Sequence, residues 1–158
     1  MQDAYSEFAE RLAWPDFRRL FDYWRSKCTA GNLPARREID PIEFLPLLPR
    51  IFLVDVTRSE TPPRLRFRYR LAGTEHQAIN SREITGLEIE EAFAPEHVET
   101  IRAAYSAVAD RGVPHVARSF AAIEGRQHVK YDRLLLPLAS DGRTVDMMLG
   151  YLQPVTSE

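Results

Sequence analysis

The chain has 158 residues, of which 44% are hydrophobic and 28% charged, with a formal net charge of −2. This length holds one domain with a real core plus an appendage, and the composition is globular rather than disordered. No apolar run approaches the ~20 residues that cross a bilayer. The near-neutral charge gives no electrostatic case for nucleic acid or for an anionic membrane surface. The single cysteine, Cys28, excludes an internal disulfide and a cysteine-built metal site within one chain.

The opening residues, MQDAYSEFAERLAW, carry acidic groups and lack the basic-then-apolar order of a secretory signal, so the expected compartment is the cytoplasm. Pro15 suits the first turn of a helix in which Phe17, Leu20, Phe21 and Trp24 fall at i, i+3, i+4 and i+7. This aromatic stripe is expected to bury against the chain's own domain or against a second copy. The helix is expected to stop near Lys27, before Gly31 and Asn32. In LPARREIDPIEFLPLLPR, Asp40 is a good N-cap, Pro41 fits the first position, Glu43 can reach back to the cap, and Ile39 with Phe44 matches a hydrophobic staple. The short helix they open is expected to be stopped by Pro46 and Pro49.

Ile51 to Val56 reads as a strand, and the stretch from Leu65 to Leu71 is the cleanest alternation in the chain. Together they predict a hairpin with Leu65, Phe67, Tyr69 and Leu71 facing the core. Arg64, Arg66, Arg68 and Arg70 then line the other face. They form a solvated surface, or one that meets an acidic partner or a neighbouring element. Thr74 and Gln77 form a capping-box pair opening a helix to about Glu83, and Gly86 breaks it. Leu87 to Phe93 fits a short helix or a loop. Pro95 opens a helix with a stripe of Val98, Ile101, Tyr105 and Val108, closed by Gly112. Val113 to Ile123 reads as a strand, Glu124-Gly125-Arg126 as a turn, and the arm to Leu138 as the first half of a final hairpin about Ser140-Asp141-Gly142-Arg143. Neither arm of that hairpin alternates cleanly, which places both strands in the middle of a sheet covered on its two faces. Only one of the adjacent Met147 and Met148 can face a pocket, and their parity stays open.

Two strands, a helical middle and three further strands predict an α+β fold, a five-stranded antiparallel sheet with helices on one face. Residues 1–49 form an N-terminal helical extension and connector, and residues 50–155 the domain proper. The element order and the texts Tyr23-Trp24, LPARREIDPIEFLPLLPRIFLVDV, FRYRLAGT, REITGL and LLLPLASDGRTVDMMLG resemble a bacterial family of small, stand-alone PAS-domain proteins once classed as a domain of unknown function. The resemblance covers about residues 23 to 150. It implies a PAS fold whose middle helices cup the sheet around a pocket, and a sensory or regulatory role without a catalytic residue set.

The cofactors that PAS domains use can be tested against residues. A covalent flavin adduct needs a cysteine on the middle helices, and Glu75 to Phe93 has none. Haem needs a histidine inside the pocket, whereas His76 and His97 fall in first helical turns where solvent is expected. His76, His97, His115 and His128 show no metal-site spacing. No glycine-rich phosphate loop is present, and Ser119 and Ser140 lack a nucleophile motif. Support for haem, covalent flavin or metal is therefore lacking, and the ligand is unknown. The pocket candidates by strand or helix phase are Phe67, Tyr69, Phe93, Tyr105, Phe120 and Tyr131. The dimer or partner-surface candidates are Phe17, Leu20, Phe21, Trp24, Arg66, Arg68 and Arg70.

The expected function is a non-enzymatic sensor or adaptor, homodimeric, that acts through binding of a small ligand, through contact with a regulator such as a kinase, or through both; neither nucleic-acid binding nor membrane insertion is expected. The competing class is a small-molecule enzyme on a cone-shaped α+β fold like that of the ketosteroid isomerases. That site would need a buried carboxylate base, and its material would be Tyr131, Asp132 and Asp146. The position of Asp146 discriminates between the two.

Overall fold

The computed structural model describes residues 4–80, 82–120 and 130–155, with only the backbone described at 79, 80 and 120. Two helices, α1 (Ala4–Glu10) and α2 (Pro15–Lys27), lead through a 3-10 turn at Arg36–Glu38 and a 3-10 run at Pro41–Arg50 into strand β1 (Ile51–Arg58). Strand β2 (Leu65–Ala72) is followed by helices α3 (Thr74–Asn80), α4 (Ile89–Ala92) and α5 (Pro95–Arg111). Strands β3 (His115–Phe120), β4 (Lys130–Leu138) and β5 (Met147–Val155) complete one antiparallel five-stranded sheet in the order β2-β1-β5-β4-β3. The last hairpin supplies the two strands β5 and β4 that sit inside the sheet, and this is why its arms are apolar on both faces. The turn expected at Glu124-Gly125-Arg126 lies outside the described residues.

The central helices take one face of the sheet, as expected, and the N-terminal extension covers the other. On the inner face, α3, α4 and α5 close over Phe52, Val54, Phe67, Tyr69, Leu135 and Met148. On the outer face, α1, α2 and the 3-10 run pack over Leu53, Leu134, Leu136, Leu149 and Tyr151. The period of two along β1 and β5 divides the strands between these clusters and settles the methionine parity, with Met148 turned to the inner side. Trp14 Nε1 donates to Asp132 Oδ2 at 2.6 Å, Trp24 Nε1 to the Pro137 carbonyl at 2.8 Å, and Tyr151 Oη to Asp16 Oδ2 at 3.0 Å. These bonds fix α2 on β4 and β5.

Several local expectations are corrected. In β2 the alternation breaks after Tyr69. Leu53 pairs with Leu71 but Val54 with Tyr69, so Arg70 is an extra residue, a β-bulge. Leu71 is thereby turned to the outer face, where it is 44% exposed, and Ala72 takes the inner position. The 3-10 run continues past Pro46 to Arg50 because a kink at Phe44 (φ −140°, ψ 39°) restarts it, so that the prolines begin new turns. Asp40 does cap Ile42 N at 3.1 Å, but the Asp40 N–H donates to Tyr23 Oη at 2.7 Å and not to Glu43. Thr74 lies within α3 and Gln77 bonds the Glu83 carboxylate, so the expected capping-box pair is not made. In the final hairpin the connection spans 139–146. Asp141 Oδ1 accepts from the N–H groups of Arg143 and Thr144 at 2.8 and 2.7 Å, and only Gly142 has a positive φ. Gly112 closes α5 in the left-handed region (φ 66°), as its position predicts.

Candidate functional site

The concave inner face carries the polar groups that set this core apart. Tyr69 is its hub, with ring centroids 6.0 Å from Phe52, 5.6 Å from His76, 5.9 Å from Phe93 and 6.4 Å from Tyr105. The Tyr69 and Tyr105 hydroxyls meet at 2.6 Å. Burial pushes the Tyr105 hydroxyl up to about 12 and Tyr69 well above its ordinary value, so both stay neutral. Phe52 reaches across to Gly150, its partner in the β1–β5 ladder, where a Cβ would stand 2.1 Å from Phe52 Cζ. The absence of a side chain at 150 is what lets that ring lie flat on the sheet.

Five of the six pocket candidates, Phe67, Tyr69, Phe93, Tyr105 and Tyr131, belong to this one cluster. The side chain of Phe120 lies outside the described residues. The sequence reading missed two members. His76, expected in solvent, is 3% exposed and edge-on to Phe52 at 4.9 Å, and burial pushes its pKa down to about 4. A one-sided helix of two turns gave too little periodicity to show which side faces in. The second is Arg133, 5% exposed, its Cζ 5.4 Å from the centre of the Tyr105 ring. Its signal was present. Period two from Tyr131 and toward Leu135 puts Arg133 on the inner face.

The partner-surface candidates are engaged within the chain. Phe17, Leu20, Phe21 and Trp24 are 0% exposed against the outer face of the sheet, so the stripe is intramolecular core and offers no free surface to a second copy. Arg66 pairs with Glu88 at 3.6 Å, Arg68 donates to the Gly86 carbonyl at 2.6 Å, and Arg70 donates to Asp55 at 3.0 Å. With Tyr69 N donating to Leu87 O and Gly86 N to Tyr69 O, residues 86–88 lie along the β2 edge, joined to it by a single bridge between Arg68 and Glu88. The stripe therefore binds a neighbouring element. The exposed large apolar side chains are instead Ile42, Leu45, Leu71 and Val113 among the described residues.

Other candidates fall away from the inner face. Asp146 accepts from the Ser140 N–H at 3.2 Å and from its hydroxyl, within the hairpin connection. Asp132 is engaged by Trp14 and Arg118. Cys28 ends α2 and packs into the outer cluster, where burial pushes its thiol up to about 11. Among the described residues no group of three His, Cys, Asp or Glu is placed to hold a metal, and no helix is long and apolar enough to cross a membrane.

A five-stranded antiparallel sheet with central helices closed over its inner face defines the class of fold. The PAS domain family matches residues 13–153, and the chain belongs to that family. The match begins well before the expected domain start at residue 50. The structure is similar to the PAS domain of BvgS from Bordetella pertussis (TM-score 0.52, 12% identity, 89% of this chain and 88% of that one). It is also similar to the Rhodobacter sphaeroides LOV protein (TM-score 0.51, 14% identity, 76% of this chain and 70% of that one). At these identities the likeness is one of fold. No curated protein matches the chain.

Proposed function

We propose that the chain is a non-enzymatic sensory module that takes a small molecule into the cup between the sheet and α3–α5 and passes the change on by protein contact. The observation that carries this reading is the polar cluster of His76, Tyr69, Tyr105 and Arg133, buried where packing alone calls for apolar side chains. On this reading residues 50–155 are the sensing domain and residues 1–49 an extension that covers the back of its sheet. Its partners are a second copy of the chain and a signalling protein such as a kinase, met in the cytoplasm. The enzyme alternative loses support from Asp146 and Asp132, since both carboxylates are held in turn and surface contacts rather than in the cup. Cys28, on the opposite side of the sheet, gives no support to a covalent flavin adduct in the cup.

Native mass spectrometry of protein purified from its own host tests the reading, with gentle denaturation to release whatever is retained. A small molecule released in near-stoichiometric amount, and lost on substituting Tyr105, is the expected result. Apo protein that binds nothing and turns over a substrate would sink it.

A further inference from the structure

Arg133 is an anomaly within the cup. It is 5% exposed, its Nε–H has no hydrogen-bond partner, and no carboxylate is paired with it among the described residues. The titratable groups on which its guanidinium acts electrostatically are Tyr69, Tyr105, His76 and His115. None of these is an anion at neutral pH. A guanidinium cannot shed its proton, so burial leaves it charged, and the Tyr105 ring offsets only part of the lost hydration. A cation kept in a core at such cost calls for an anion. The hydroxyl pair adds a second unused donor. Tyr69 and Tyr105 share one hydrogen bond at 2.6 Å, which takes one hydroxyl proton and leaves the other free to donate.

We infer that the cup binds a small monocarboxylate, its carboxylate held by Arg133 and by the free hydroxyl proton of the Tyr69–Tyr105 pair. A planar guanidinium matches a carboxylate through two parallel N–H donors. The side chains packed in the same cluster, Phe67, Phe93 and Leu135 among them, are apolar and suit an aromatic or aliphatic body. A single buried cation balances one negative charge, which favours a carboxylate over a phosphate dianion. This inference rests on the cup being the ligand site proposed above, and it adds the chemical class.

The test uses 15N-labelled full chain, unfolded, dialysed and refolded to free it of retained molecules. The Arg133 Nε–H signal is assigned as the one absent from Arg133→Met. Benzoate and hexanoate are each titrated in, with benzamide and hexanamide as uncharged counterparts. The carboxylates are expected to move the Arg133 signal saturably and to bind at least about tenfold more tightly than the amides, the discrimination a charged, desolvated donor confers. Arg133→Met should bind acid and amide alike. Free of ligand it should also melt at least about 3 °C higher than the parent, because an unpaired buried charge has been removed. Arg133→Lys, which keeps the charge without the fork, should retain part of the preference. An Arg133 signal unmoved by either carboxylate, together with a lower melting temperature for Arg133→Met, would overturn the inference. If native protein then releases a neutral molecule, the sensor reading survives and the carboxylate class does not. If it releases nothing and turns over a substrate, both fail.

Discussion

At the scale of single residues, two side chains show how narrowly the cup is drawn. Gly150 exists to admit the Phe52 ring. Gly150→Ala puts a methyl into that ring and should cost about 1–3 kcal/mol by overpacking, read from denaturant melts, with Phe52→Leu in the same chain recovering part of the loss. His76 is held neutral by burial, its pKa about 4 against an ordinary 6.5. Between those values the unfolded chain takes a proton at this site and the folded chain does not. Its contribution is therefore whole above the unfolded value and declines as pH falls toward the folded one, by at most about 3 kcal/mol. His76→Phe should reduce the stability lost between about pH 7 and about pH 5 by roughly 2 kcal/mol, and equal losses in the two proteins would refute the assignment. Neither residue announced itself in the sequence. A glycine in a strand and a histidine near a helix start have many ordinary explanations, and only the ladder partner and the turn of α3 choose among them.

At the scale of elements, the long periodic segments were legible and the junctions were not. The stripes of α2 and α5 and the alternation of β2 follow from the sequence because each repeats a period several times. The bulge at Arg70 breaks the β2 rule after one clean run, and it is set by pairing with β1, which β2 alone does not encode. The same holds for Gln77 and Glu43, whose side chains had rival partners nearby. Within α2 the stripe answers a question the sequence left open, since all four of its side chains are buried in the chain itself. Trp24→Ala should cost about 3–5 kcal/mol, combining a large cavity with an unmet Pro137 carbonyl. Sedimentation of that variant should show the oligomeric state of the parent. A change of state with little loss of stability would restore the stripe to an interface.

At the scale of the whole molecule, the order of elements predicted the sheet, its antiparallel pairing and its central hairpin, because five strands split by a helical middle leave few topologies. The site was half visible. Aromatic candidates could be chosen by strand phase, whereas the two turns of α3 gave no phase for His76, and Arg133, although in phase with Tyr131 and Leu135, carries a charge that argues for the surface. Cover on both faces of the sheet makes the extension structural. A chain lacking residues 1–33 would uncover Leu134, Leu136, Leu138, Leu149 and Tyr151 at once. It should self-associate on light scattering and lose the single cooperative melt of the parent. A monomeric, cooperatively melting truncation would show that the sheet does not need its back layer.

The hydrogen bond from Trp24 to Pro137 joins residues 113 apart along the chain. During translation α2 leaves the ribosome long before the strands that will cover it. At about 5–20 residues per second, its aromatic side is bare for roughly 5–25 seconds, far longer than a helix takes to form. Contacts of such wide separation also slow the search for the native arrangement. The nascent chain is thus a natural client for holdase chaperones, and its yield in a cell should depend on them more than its final stability would indicate.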